Sequence, residues 1–321
     1  MNYCKRVNFN AKFEPNGNYI LHGTGQYDIY EQFQSYDAYR NCLKNFPPIM
    51  SVSFIGLYND LRYDLFARQI IMHVSSYSEN SLIIPQIGLE FCKGELKGSN
   101  YEKDIAEGRR DEEIAKLMLA MKGIDRPIFI RPGYGFNGEW NGYDAHYYKL
   151  AFRRIKKVMQ DTGCDNVSLV WSYNPAALDK DYEKYYPGDE YVDWWGIEIF
   201  QTPEESAPYT YTFLSDAEKH RKPVMLGEAT AFRYGATLEG WQKWFVSFFR
   251  YIKENAVIKA ACYINWDWTK YAKWRTWGDC RLESNKELIK LYRNEMKNKI
   301  WLNDVDKEFA KKVLNYGQNE G

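Results

Sequence analysis

The chain has 321 residues, 45% of them hydrophobic and 27% charged, with 43 Lys plus Arg against 43 Asp plus Glu. That balance leaves no net field to draw the molecule to nucleic acid or an anionic membrane, and no run approaches the ~18 consecutive apolar residues of a membrane span. The opening MNYCKRVNFN has no apolar signal core, so no export signal is expected in the chain as given; a secreted or periplasmic address is expected if a leader was removed, and a cytoplasmic one otherwise.

In chain order, the first strand is expected at YILHG near residue 19. It runs into HGTGQ (22–26), whose two glycines lack the third glycine and the later acid of a dinucleotide fingerprint. Strands follow at MSVSFIG near 50 and LIIPQIG near 82, then a helix over 111–123 and a strand at PIFIRPG near 127. A helix over 147–163 leads to strands at VSLVWSY near 167, VDWWGIEIF near 192 and PVMLGE near 223. A helix over 238–256 and a strand at AACYINWDW near 260 complete the set. Gly123 and Gly163 are expected to end their helices at positive φ. Strands alternating with helices imply right-handed crossovers, and about eight such units close a parallel sheet into a (β/α)8 TIM barrel, here expected to be one domain over 1–321. An open doubly wound sheet is the alternative.

In such a barrel the βα loops converge on one mouth, so strand ends carry the chemistry. Glu228 closes the seventh strand after an apolar run; a carboxylate there serves either a reaction or a plain ion pair at the rim. Arg131, near the end of the fourth strand, is placed to keep Glu228 ionised through a charge-assisted hydrogen bond, or to form a structural ion pair. The 27 Tyr and 11 Trp suit a surface that is apolar on its faces and polar at its edges, such as sugar rings require. Trp266, at the end of the eighth strand, is expected to floor the subsite where cleavage occurs. Trp268, Trp274 and Trp277 follow it, while Tyr134, Asn137, Trp140, Tyr173, Trp195, Glu198 and Phe200 at other strand ends are expected to contact substrate. Lys270, Lys273, Arg275 and Arg281 interleave with those rings, which suits either an anionic polysaccharide or a merely solvated loop. The six cysteines have no metal-ligand or redox spacing and are expected to be packed free thiols.

The segments PIFIRPGYGFNGEWNGY, YPGDEYVDWWGIEIF and PVMLGE resemble the fourth, sixth and seventh strands of clan A glycoside hydrolases, and in particular family 26, which groups β-mannanases and β-1,3-xylanases. The resemblance implies an endo-acting, retaining double displacement on a polysaccharide, with two carboxylates about 5 Å apart and neither metal nor cofactor. It places the nucleophile at Glu228. It places the acid/base at Gly135, which has no proton to give, and Tyr134 stands where the family has Asn or His. Three explanations are open: a substitution engineered to hold intact substrate, a natural loss of catalysis, or transfer of the role to another carboxylate such as Glu139 or Glu198. The expected protein is therefore a monomer hydrolysing mannan, β-1,3-xylan or an anionic algal galactan, slowed by ~10² to 10⁴ for want of its acid. An inert carbohydrate-binding protein on the same barrel is the rival. A barrel for phosphorylated metabolites would want a glycine-rich cradle that the chain does not offer.

Overall fold

The computed structural model describes residues 3–26, 33–57, 62–92 and 101–317. Eight parallel strands form the expected barrel: β1 (Ile20–Thr24), β2 (Met50–Gly56), β3 (Ile84–Glu90), β4 (Ile128–Pro132), β5 (Val167–Tyr173), β6 (Trp194–Ile199), β7 (Val224–Ala229) and β8 (Ile258–Tyr263). Neighbours in sequence are neighbours in the sheet, and β1 closes the ring by pairing with both β8 and β2. A two-residue strand, β9 (Trp301–Leu302), adds to the start of β1 on the edge whose far end is taken by β2.

Helices α1 (Gln34–Leu43), α2 (Tyr63–Ser75), α3 (Glu102–Ala106), α4 (Asp111–Lys122), α5 (Ala145–Asp161) and α6 (Tyr209–Lys219) pack outside the sheet. They are followed by α7 (Leu238–Gly240), α8 (Val246–Glu254), α9 (Lys286–Met296) and α10 (Lys307–Val313). Helix α5 shows why these segments are helical: Asp144 caps it by accepting from the His146 and Tyr147 amides, and Tyr148, Ala151, Phe152, Ile155 and Met159 lie buried on one stripe. Gly163 follows it at φ +61°, as expected, whereas Gly123 has φ −70° and simply continues the right-handed turn of α4. The helix expected over 238–256 is interrupted by a π turn at Trp241–Phe245 and gives way to an extended Asn255.

The core is in two layers, as barrel geometry requires. Between sheet and helices lie the outward residues of each strand, such as Ile128, Ile130, Trp171, Tyr173, Trp195 and Ile197. Inside the barrel, Leu21, Met50, Val52, Phe129, Val170, Trp194, Met225 and Cys262 fill the lower part. The N-terminal segment seals the bottom: buried Lys259 donates to the Val7 carbonyl at 3.0 Å and faces Glu14 at 3.7 Å, and Trp194 Nε1 donates to Lys12 O at 2.8 Å. The six cysteines are free. With its base and middle packed, the barrel is open to ligand at the C-terminal mouth.

Candidate active site

Alternation along β4 sends Phe129 and Arg131 inward, so a guanidinium rises directly above the apolar filling and is wholly buried. The same alternation along β7 would turn Glu228 outward with Leu226. It does not, because the register against β6 slips: Ile197 lies opposite Leu226 but Glu198 lies opposite Glu228, leaving Gly227 as the extra residue of a bulge. The bulge re-aims Glu228 into the mouth. Gly227 is also where the guanidinium passes, for a Cβ there would sit 3.0 Å from Arg131 Cδ and 3.2 Å from Nη1.

Arg131 Nη2 donates to Glu228 Oε1 at 2.6 Å, and its Nη1 lies 3.9 Å from Glu198 Oε1. One cation thus serves two carboxylates, and the Tyr134 ring covers its face at 4.8 Å. Glu198 is 3% exposed; Asn174 Nδ2 donates to its Oε2 at 3.0 Å, while Oε1 is buried with no hydrogen-bond partner. Burial pushes the Glu198 carboxyl well above the ordinary range, the negative charge of Glu228 adds to this, and Arg131 and the Asn174 hydrogen bond oppose it.

These groups face a cleft of about 920 Å³. Of the residues expected there, Glu228, Glu198, Tyr134, Gly135, Trp140, Phe200, Trp266, Trp268, Trp274 and Trp277 line it. The loop after β8 folds back on itself through Cys280 N to Trp266 O at 2.9 Å and Tyr263 OH to Cys280 O at 2.6 Å. Its rings pack on one another, Trp268 against Trp277 at 4.9 Å and Trp266 parallel to Tyr271 at 6.2 Å, so the same rings are core for the loop and wall for the cleft.

Other expected contacts lie elsewhere. Tyr173 and Trp195 sit at outward positions of β5 and β6 and pack on Phe213 of α6 at 5.0 and 4.7 Å, because strand parity directs them to the helix layer. Asn137 is spent on the backbone: it donates to Asn174 O and Asp179 O and accepts from the Asn174 amide, so it positions Asn174 and does not line the cleft. Glu139 is exposed, accepts from Leu178 N at 3.3 Å and does not line the cleft. Of the four cations expected at the rim, Lys273 lines the cleft, and Arg281 is held between Asp267 at 3.2 Å and Asp279 at 2.7 Å.

Gly135 has φ +58°, and a Cβ there would lie 3.3 Å from both Glu198 oxygens. Gly135, where the resemblance implied the acid/base, therefore faces the carboxyl of Glu198. Asn141 fixes the loop by donating to the Tyr134 and Gly135 carbonyls at 3.0 and 2.9 Å. Sequence reading did not find Asn141, Asn174, Gln201 or Glu90, the last of which accepts from Tyr134 OH at 2.9 Å. Glu90 closes β3 much as Glu228 stands one residue from the end of β7, and that parallel was the available signal.

The comparisons agree with this geometry. Residues 96–303, more than half of the chain, match the model of glycosyl hydrolase family 26. The chain is 26% identical over 300 residues to a β-1,3-xylanase of Vibrio sp., covering 84% of this chain and 62% of the relative. It is 27% identical over 175 residues to a mannan endo-1,4-β-mannosidase of Bacillus subtilis, covering 45% of this chain and 47% of that one. The chain thus spans less than two thirds of the length of these relatives. Among solved structures, GH26C from Muricauda sp. superposes with a TM-score of 0.66 at 15% identity, covering 91% of this chain and 90% of that one, a likeness of fold. Barrel, cleft and family match converge: the chain belongs to glycosyl hydrolase family 26.

Proposed function

We propose that the chain hydrolyses a β-linked polysaccharide from within, with retention, and that Glu228 is the nucleophile. The observation that carries this is the bulge in β7, which aims one carboxylate out of the packed barrel into a ring-lined cleft and sets it on Arg131. In such a reaction the Glu228 oxygen bonds to the anomeric carbon as the glycosidic bond breaks, and water later displaces it. Flat aromatic faces such as Trp266 bind the apolar faces of sugar rings, and the polar edges meet Asn141, Gln201 and Glu90. Nothing on residue 135 itself can protonate a leaving group. Without another donor the rate on a poor leaving group would fall by ~10² to 10⁴.

For the substrate we favour a neutral β-xylan or β-mannan. The relatives named above are a β-1,3-xylanase and a mannosidase, and of the cations interleaved with the rings after β8, Lys273 lines the cleft while Arg281 is paired with two aspartates. The test is an assay of the chain and its Glu228→Gln variant on β-1,3-xylan, β-mannan and sulfated galactan. Cleavage of a neutral polymer by the first and background rates for the second are expected. Tight binding without cleavage of any polymer or of any activated aryl glycoside would instead mark a carbohydrate-binding protein.

A further inference from the structure

Glu198 has the placement that the β4 loop lacks. We propose that the catalytic proton is given and taken by Glu198, on β6, so that the acid/base of this barrel has moved from the fourth strand to the sixth; this rests on the hydrolase reading above. Three observations carry it. The point next to Gly135 where a side chain from the β4 loop would begin lies 3.3 Å from both oxygens of Glu198, so the Glu198 carboxyl borders it directly. Glu198 and Glu228 lie opposite one another on adjacent strands, and an oxygen of each lies within 4 Å of the Arg131 guanidinium, which holds the two carboxyls to one place in the mouth. One Glu198 oxygen is anchored by Asn174, whereas the other is buried with no hydrogen-bond partner among the described residues, and Glu198 lines the cleft. A group so built has one oxygen fixed for aim and one left for a hydrogen bond that the described residues do not supply.

Its surroundings favour the protonated form that an acid needs. Burial is the largest influence, and Glu228 on β7 acts in the same sense; Arg131 on β4, the Asn174 amide after β5 and the Gly135 backbone act against it. Tyr148 on α5 also lies within electrostatic reach, with its hydroxyl donating to Pro132 O. Arg131 favours Glu228 over Glu198, at 2.6 against 3.9 Å, so the pair is asymmetric: one carboxyl is bound to the cation and the other lies further from it. In the first step the Glu198 proton passes to the glycosidic oxygen while the bond from Glu228 to the anomeric carbon forms. In the second, the Glu198 carboxylate takes a proton from water as the water oxygen displaces Glu228, which restores both groups.

The experiment compares the chain with Glu198→Gln on a polysaccharide and on a dinitrophenyl glycoside of the same sugar, whose leaving group needs no proton. The chain is expected to cleave both. The variant is expected to lose ~10² to 10⁴ on the polysaccharide and far less in the first release of dinitrophenol. Azide, a nucleophile that needs no base, is expected to restore the variant's turnover of the activated glycoside and give the glycosyl azide of retained configuration. The unaltered chain supplies a control independent of folding of the variant: its kcat/KM should fall at alkaline pH for the polysaccharide and not for the activated glycoside. Cleavage of the activated glycoside but not the polysaccharide by the unaltered chain would overturn the role of Glu198 and leave the hydrolase reading standing. Equal polysaccharide rates for chain and variant would do the same. Cleavage of neither substrate by the unaltered chain would overturn both.

Discussion

Arg131 is wholly buried beside two carboxyl groups within 4 Å, and Glu228 takes the short contact. A buried ion pair is sensitive to removal of its cation, since the Glu228 charge stays in a low-dielectric site. Arg131→Met is expected to lower unfolding free energy by about 3–5 kcal/mol, measured by urea titration at pH 7, with activity lost in the folded fraction. Gly135 offers a second single-residue check. At φ +58° an alanine costs ~1–2 kcal/mol in backbone strain, and its methyl presses on Glu198, so Gly135→Ala should be less stable by about that amount and slower on polysaccharide. A wild-type rate in Gly135→Ala would mean that the contact with Glu198 has no functional weight. The chemistry-bearing types were legible in the sequence at this scale: Glu228, Arg131 and Glu198 all stand at strand ends. What Glu198 touches was not, because its closeness to Gly135 joins β6 to the loop after β4 across the barrel mouth.

Elements decide which of those residues face the cleft. All eight strands were visible as β-branched or aromatic runs, since a strand buried on both faces must be apolar throughout. That same uniformity hides parity, which is why Tyr173 and Trp195 read as cleft residues although they pack on α6. The bulge at Gly227 was equally hidden, for no spacing in PVMLGE announces an extra residue. The loop after β8 was legible by its tryptophan density, while the pairing of Arg281 with Asp267 and Asp279 depends on the fold-back bridge between those aspartates. Trp266, held parallel to Tyr271 in that loop, lines the cleft at its floor or wall. Trp266→Ala is expected to raise KM for oligosaccharides about tenfold or more with a smaller change in kcat, a loss in the range of one aromatic stacking contact. An unchanged KM would remove Trp266 from the binding surface.

At the scale of the molecule, closure of the sheet is what brings β4, β6 and β7 to one mouth, and repeated strand and helix units alone were enough to anticipate it. The barrel also buries histidines in neutral form. His22 sits between Asn303 and Tyr39 at 2.7 and 2.8 Å, and burial lowers its pKa to about 4; burial, helped by Arg40, lowers that of His73 to about 3. A histidine whose folded pKa is depressed contributes stability in full above its unfolded value of ~6.5 and loses it as pH falls toward the folded value. Melting temperature is therefore expected to drop between pH 6.5 and about 4, with ~3 kcal/mol of the loss from His22, and His22→Gln should flatten that slope. An unaltered slope in His22→Gln would assign the acid sensitivity to other groups. The claim on which function rests is that Glu228 bonds to the sugar. The direct measurement is mass spectrometry of peptides after incubation with a 2-deoxy-2-fluoro glycoside bearing a good leaving group, which slows release of a glycosyl enzyme. A fluoroglycosyl adduct on the peptide holding Glu228, absent from Glu228→Gln, is expected; an adduct on Glu198 or Glu90, or none while the activated substrate is consumed, would contradict it.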